Sequence, residues 1–340
     1  MAEPFKLVLS GGSSNQKAEV MRKIRAAAAA KGYTVLLVPS AEKLLEQGGL
    51  TPKVYARKRD NQSNLLHLQL ELERSFLRAA QDMTADKALL LCECGALDFG
   101  ADLPEQEYLQ LLQTMGLHRL ELRDQYDAVF LLDSSDTPHI AAWTGHPHLR
   151  MLGGNFGIDM QLLSAELAVL LGNPKPVEIE RKFLVEYPDP VWLEHLSPSR
   201  SVSITQVYLN AQPKEERRIR QRSADGASLY YKTIKQTLDG IKRTEIEHRI
   251  PEKEYHALLN EADPSRRPIQ KTRTYFFFRR QYFELDIYPF WTDRAILELE
   301  LSSEHESVHL PEGLRLIREV TDDPHYKNAA LAKGDFSDCR

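Results

Sequence analysis

This 340-residue sequence is poor in cysteine, with three, and has no run of about 18 apolar residues such as a membrane helix needs. The first lack excludes a disulfide-stapled scaffold and a thiolate metal centre: Cys92 and Cys94 would point to the same side of a strand, and Cys339 stands alone in the tail. The second, with 42% hydrophobic and 27% charged residues, gives the expectation of a soluble protein with no membrane partner. The opening Met1-Ala2-Glu3-Pro4-Phe5-Lys6 lacks the basic start and apolar stretch of a signal peptide, so the expected location is cytoplasmic. An excess of positive charge is also missing. A net charge of −5 argues against nucleic acid as a partner, because such binding requires many Lys and Arg to neutralise phosphates.

The length favours two domains. Residues 1–172 read as α/β: a strand at 5–9, a glycine turn, a helix at 16–31, a strand at 33–38, a helix at 64–81, buried strands at 87–92 and 128–133, and a closing helix at 160–171. Strands alternating with helices imply a parallel sheet covered on both faces. Gly172-Asn173-Pro174-Lys175-Pro176 reads as a linker, since glycine and two prolines end a helix. Residues 176–335 then change to period two, with candidate strands at 178–185, 201–209, 216–222, 228–235, 241–250, 270–280, 281–289 and 295–302, a helix at 252–260 and a short final element. Eight strands predict an antiparallel β-barrel.

Nearly every one of these strands carries its charges on one side. Glu178, Glu180 and Lys182 share a side, as do Arg218 and Arg220, Thr233 and Lys235, Arg243, Glu245 and Glu247, Lys271 and Arg273, Glu284 and Asp286, and Glu298 and Glu300. On a single strand that pattern is the wet side of a half-exposed sheet. Across the set, carboxylates recur beside carboxylates and guanidiniums beside guanidiniums, and such neighbours repel unless something binds between them. A closed barrel of about eight strands holds one small ligand. Arginine forks and lysine ammoniums suit phosphate oxygens, and carboxylate clusters suit Mg²⁺ or Mn²⁺ rather than zinc. The implied ligand is a metal-bound polyphosphate.

Glu178-Ile179-Glu180-Arg181-Lys182 resembles the ExExK signature that opens CYTH proteins, the triphosphate tunnel metalloenzymes. Further matches follow in that family's order: Gln206-Val207-Tyr208, Arg218-Ile219-Arg220, Thr233-Ile234-Lys235, Arg243-Thr244-Glu245-Ile246-Glu247, Lys271-Thr272-Arg273, Glu284-Leu285-Asp286 and Glu298-Leu299-Glu300. The resemblance implies a tunnel barrel in which Glu178, Glu180, Glu298 and Glu300, with Asp286, hold Mg²⁺ or Mn²⁺. It implies that Lys182, Arg218, Arg220, Lys235, Arg243, Lys271 and Arg273 grip phosphates, with Glu178, Glu180 and Lys182 the catalytic set. Glu245 and Glu247 serve equally well as neutralisers of neighbouring cations. The implied activity is a metal-dependent triphosphatase acting on inorganic tripolyphosphate, with nucleoside or thiamine triphosphates as related substrates. The alternatives are a class IV-type adenylate cyclase, which uses the same triphosphate grip, and a noncatalytic polyphosphate or nucleotide sensor.

In the first domain, Gly11-Gly12-Ser13-Ser14-Asn15-Gln16-Lys17-Ala18 stands where a P-loop stands, but Gln16 replaces the second glycine of GxxxxGK[ST] and Ala18 the hydroxyl residue. The segment resembles P-loop ATPase or kinase-like domains fused ahead of CYTH domains, with Cys92 to Asp98 as a second acidic motif and Trp143 to Arg150 as a later one. The stretch between Asp133 and Trp143 is too short for a lid. The expectation is a degenerate structural or regulatory domain, with Gly12, Lys17 and the loop amides as a residual ATP site, or else a kinase to which the barrel is accessory. His146 and His148 flank Pro147 in a turn or surface loop rather than at a metal.

Overall fold

The computed structural model describes residues 4–50, 59–83, 86–101, 103–133, 135, 137–154, 157–172, 179–212, 215–239, 242–301 and 306–334. The chain forms two compact units, Met1–Gly172 and Asn173–Arg340.

In the first unit β1 (Phe5–Ser10), β2 (Thr34–Val38), β3 (Ala88–Cys92), β4 (Ala128–Leu131) and β5 (Leu149–Met151) make a parallel sheet in the order β2-β3-β1-β4-β5. The helices α1 (Ser14–Ala30), α2 (Ala41–Gln47), α3 (Arg59–Asp82), α4 (Glu105–Thr114), α5 (Arg119–Arg123), α6 (Thr137–Trp143) and α7 (Met160–Leu170) separate the strands, and β6 (Gly153–Gly154) pairs with β7 (Gly157–Ile158) in a small ribbon. The parallel α/β expectation holds. Alternation puts Leu7, Leu9, Leu89 and Leu91 on one face, packed with Val20 and Ile24 of α1 and Leu163 of α7. Lys6 and Val8 point the other way, where Lys6 Nζ meets Glu73 Oε2 of α3 at 2.5 Å. Gln69 and Tyr126 also donate to Glu73, so this buried charge is fully engaged.

His146 departs from its expected surface position. It is 1% exposed, its Nε2 donates to the Tyr126 carbonyl at 2.9 Å and its Nδ1 accepts from the His148 N–H at 3.0 Å. A local sequence cannot show that Trp143 and Tyr126 close over the turn. Burial pulls the imidazole pKa down to about 3.

Among its described residues the second unit contains nine strands where eight and a short final element were expected: β8 (Ile179–Glu186), β9 (Ser199–Leu209), β10 (Glu215–Ala224), β11 (Ala227–Asp239), β12 (Lys242–Ile250), β13 (Ile269–Phe278), β14 (Gln281–Ile287), β15 (Arg294–Leu301) and β16 (Leu316–Glu319). They form one antiparallel sheet in the order β12-β11-β10-β9-β13-β14-β15-β8-β16, with short helices α8 (Pro190–His195), α9 (Glu252–Leu258) and α10 (Asn328–Leu331). Among the described residues β12 and β16 are its two edges. The hairpin at Asp225-Gly226 has two consecutive positive φ values, 51° and 77°, as a two-residue turn requires. Arg279 and Arg280 do the same at 48° and 69° without glycine or asparagine, which is why the period-two pattern runs through that turn unmarked.

One face of this sheet is apolar. Phe183, Phe276, Phe283 and Leu297 pack under Trp192 and Leu193 of α8, and Val207, Ile219 and Ile250 under Tyr255 and Leu258 of α9. No helix of the described residues is long and apolar enough to cross a membrane.

Two outcomes follow from this packing. Phe283→Ala, at a side chain with no exposure, should lower stability in urea unfolding by about 3–5 kcal/mol. Because the folded-state pKa of His146 lies below its ordinary value, the unfolded chain binds the extra proton; the stability held by the neutral ring is complete above about pH 6.5 and is lost as pH falls toward 3. His146→Gln should flatten that acid limb in a stability-against-pH series.

Candidate functional site

Directly opposed residues of an antiparallel ladder share a face, so register traces the charged side across the sheet. Glu180 opposes Glu300 and Lys182 opposes Glu298; Glu298 opposes Glu284; Asp286 opposes Arg273. Lys271 and Arg222 both oppose Ile204, which places β13 and β10 on the same side, and Arg218 opposes Thr233. Thr233 opposes Glu247, Lys235 opposes Glu245 and Thr237 opposes Arg243. Glu180, Lys182, Arg218, Arg220, Lys235, Lys271, Arg273, Asp286, Glu298 and Glu300 therefore lie on one face, while the side chain of Arg243 lies outside the described residues. Glu178 lies outside the described residues.

At the centre is a buried ion cluster. Asp286 has no exposure; its Oδ2 accepts from Lys271 Nζ at 2.5 Å and Arg273 Nη2 at 2.6 Å, and its Oδ1 from Arg273 Nε at 2.6 Å. Arg273 also donates to Glu284 and, at 2.5 Å, to Glu298 Oε2. Lys182 Nζ sits 2.6 Å from Glu298 Oε1 and 3.8 Å from Glu180 Oε1. Three cations thus meet three carboxylates, Lys182, Lys271 and Arg273 against Glu284, Asp286 and Glu298. Burial alone would raise the Glu298 carboxyl, but Lys182, Arg273 and Lys271 outweigh it and hold it well below the usual range. Burial depresses the Lys182 ammonium, and Glu298 and Glu180 reverse that to a net rise. Lys271 is pulled down to about 8, by burial first and then by Arg273 beside it, with Asp286 opposing.

β10 carries a row of guanidiniums. Arg220 is lowered by burial and by Arg218, Arg273 and Arg222, against the pull of Glu247, whose Oε2 is 3.7 Å from its Nη1. Glu247 in turn accepts from Thr233 Oγ1 at 2.5 Å. Arg222, 3% exposed and 3.3 Å from the Tyr275 hydroxyl, extends the row and was absent from the sequence-derived set, although its spacing of two after Arg220 marked it. One end of the same face is apolar: Leu184, Tyr208, Ile269 and Ile296 pack with Val320, Tyr326 and Leu331 from the end of the chain, and the Tyr288 hydroxyl donates to Asn328 Oδ1 at 2.8 Å.

Residues 177–330 match the CYTH domain. An inorganic triphosphatase of Acetivibrio thermocellus is 31% identical over 160 residues, spanning 47% of this chain and 95% of that protein. The chain belongs to the CYTH family. Solved structures similar to this CYTH chain include one described as the inorganic triphosphatase NE1496, 30% identical over 46% of this chain and 95% of that one, TM-score 0.34. Another is a Pyrococcus horikoshii protein, 18% identical over 37% of this chain and 80% of that one, TM-score 0.29.

Among the described residues of this CYTH chain no group of three or more His, Cys, Asp or Glu is arranged to hold a metal ion. The donor chemistry nevertheless fits magnesium, which keeps several waters and takes only one or two carboxylates together with substrate phosphates. Glu180 and Glu300 face each other across β8 and β15, a like-charged pair that a cation between them would relieve. The Glu180 side chain is 45% exposed and so within reach of a hydrated ion.

In the first unit two amides of the expected anion loop and the Lys17 ammonium have partners within the protein. Gly12 has φ 72°, and a Cβ there would lie 2.8 Å from Leu132 Cβ. Gln16 Oε1 accepts from the Ser13 N–H at 2.8 Å and the Ser13 hydroxyl at 3.0 Å, while Ser13 Oγ accepts from the Gln16 N–H. Lys17 Nζ donates to the Glu93 carbonyl at 2.8 Å. Asp98 accepts from Ser10 Oγ, the Gly95 N–H and Trp143 Nε1, which joins the two later motifs to the loop's strand. Gln16, where a P-loop has glycine, closes a capping box on α1. Ser13→Ala with Gln16→Ala should lower the stability of this unit by about 1–2 kcal/mol, measured by thermal unfolding.

Proposed function

We infer that this protein is a metal-dependent triphosphatase with inorganic tripolyphosphate as its substrate. The observation that carries the reading is one sheet face bearing carboxylates on β8 and β15 and a row of arginines on β10, with the Lys182, Lys271 and Arg273 cluster between them. A chain of phosphates is anionic along its whole length and spans such a face, while a compact anion does not. The Acetivibrio thermocellus relative, named an inorganic triphosphatase, supports the same activity.

In this reading the sheet curls into a tunnel-like barrel over residues 176–335, with the charged face inward. Lys182, Arg218, Arg220, Lys235, Arg243, Lys271 and Arg273 orient the phosphates and stabilise charge on the transferred phosphoryl group. Glu178, Glu180 and Glu300 hold Mg²⁺ or Mn²⁺, while Glu298, buried with one oxygen on Lys182 and the other on Arg273, anchors those cations beside the metal. A metal held there would supply charge neutralisation at the phosphoryl oxygens and an acidified water. Lys182, salt-bridged to Glu298, keeps that carboxylate ionised and aimed. Residues 1–172 serve as a P-loop-like α/β domain with a structural or regulatory role; Ser13, Gln16 and Glu93 occupy the groups that would otherwise receive a nucleotide phosphate. The location is cytoplasmic.

The test is phosphate release from tripolyphosphate, ATP and pyrophosphate with Mg²⁺ or Mn²⁺. Tripolyphosphate should be the best substrate, and Glu178→Gln with Glu180→Gln should lower kcat on the order of 100-fold or more. Arg220→Ala, which removes a charge-assisted donor, should raise KM by about 10- to 100-fold. Absence of release from all three would sink the hydrolase reading, and cyclic AMP from ATP would replace it with a cyclase.

A further inference from the structure

We propose that Asp286 is a positioning residue of this site and not a metal ligand: it holds Lys271 and Arg273 in the geometry in which they meet the phosphates. The inference rests on the triphosphatase reading for what those cations do, but its evidence is the local geometry. Both carboxylate oxygens of Asp286 are already committed to three charged hydrogen bonds, at 2.5, 2.6 and 2.6 Å. The group has no solvent exposure, and the Lys271 side chain is 3% exposed. A hydrated dication would have to shed water, displace one of these donors and sit beside two positive groups, each step unfavourable. Glu180, by contrast, is 45% exposed and faces another carboxylate.

The arrangement also explains what Asp286 gives the site. A bidentate fork from Asp286 to Arg273 Nε and Nη2 fixes the guanidinium plane, and that plane aims the remaining donors at Glu284 and Glu298. The same Oδ2 holds the Lys271 ammonium on the charged face, where burial and Arg273 both act against its charge. Asp286 is thus the counter-ion that lets two adjacent cations stay on one strand, at spacing two, without solvent.

Thermal melts without and with metal separate the two roles. In EDTA, Asp286→Asn leaves two buried cations short of a counter-charge, and the melting temperature should fall by about 10 °C. A carboxylate whose role is to bind metal would give the opposite sign, because its removal relieves repulsion in the metal-free site. Adding millimolar Mg²⁺ should raise the melting temperature of wild type and of Asp286→Asn by the same amount, and that gain should be absent in Glu180→Gln. At saturating tripolyphosphate, kcat per folded molecule of Asp286→Asn, with the folded fraction read from the melt at the assay temperature, should fall on the order of tenfold, while the half-saturating Mg²⁺ changes by less than about threefold, where loss of a metal ligand would raise it by about 10- to 100-fold.

If Asp286→Asn does not fold, Lys271→Met with Asp286→Asn replaces the buried pair by neutral groups of similar size and carries the same Mg²⁺ comparison. An EDTA melt unchanged by Asp286→Asn, or a Mg²⁺ gain lost from either folded variant, overturns the assignment. Wild type that neither gains stability from Mg²⁺ nor hydrolyses tripolyphosphate sinks the triphosphatase reading instead, and the EDTA comparison still decides whether Asp286 anchors the cations.

Discussion

A carboxylate with no solvent exposure, Asp286, is held between two cations on the next strand, and the rest of the second unit is arranged so that this is tolerable. Taking each of these ions out of water costs several kcal/mol, which only close, well-directed partners offset. The partners come from β13, β14, β15 and β8, so the balance depends on strand register more than on any one contact. A slip of one residue would turn every charge to the opposite face. The apolar face prevents that slip: Phe183, Phe276, Phe283 and Leu297 are buried only in the register that also aligns Lys182 with Glu298.

The two units treat their charges differently. In the first, the polar groups around the opening loop are turned on one another, Ser13 on Gln16, Lys17 on the Glu93 carbonyl and Ser10 and Trp143 on Asp98. Lys6, Glu73, Tyr126 and Gln69 form a similar closed set beneath the sheet. In the second unit, Arg218, Arg220 and Arg222 stand in a like-charged row, and burial first and then these neighbours with Arg273 lower the pKa of Arg220, a cost that a bound anion would relieve.

Much of this was legible in the sequence. Alternation along 178–302 put the charged residues on one side, and the structure assembles the described ones on a single face. The missed features share a cause. Arg279-Arg280 turns without a turn residue, β16 is too short to show a period, and His146 is held by the backbone carbonyl of Tyr126, twenty residues away, under a Trp143 that packs on the Tyr126 ring. Gln16 reads in sequence as a lost glycine; only the folded loop reveals it as a cap that accepts from Ser13.

The sequence by itself determined which residues share a face, because the period of two is fixed by the covalent geometry of an extended chain. It also determined that this face carries carboxylates and cations together. Which carboxylate meets which cation was decided by the tertiary structure alone. Lys182 and Glu298 are more than a hundred residues apart and touch because β8 lies beside β15, and Asp286 faces two cations because β14 lies beside β13. Strand order is settled by the whole sheet's burial of its apolar side, a property no local segment carries.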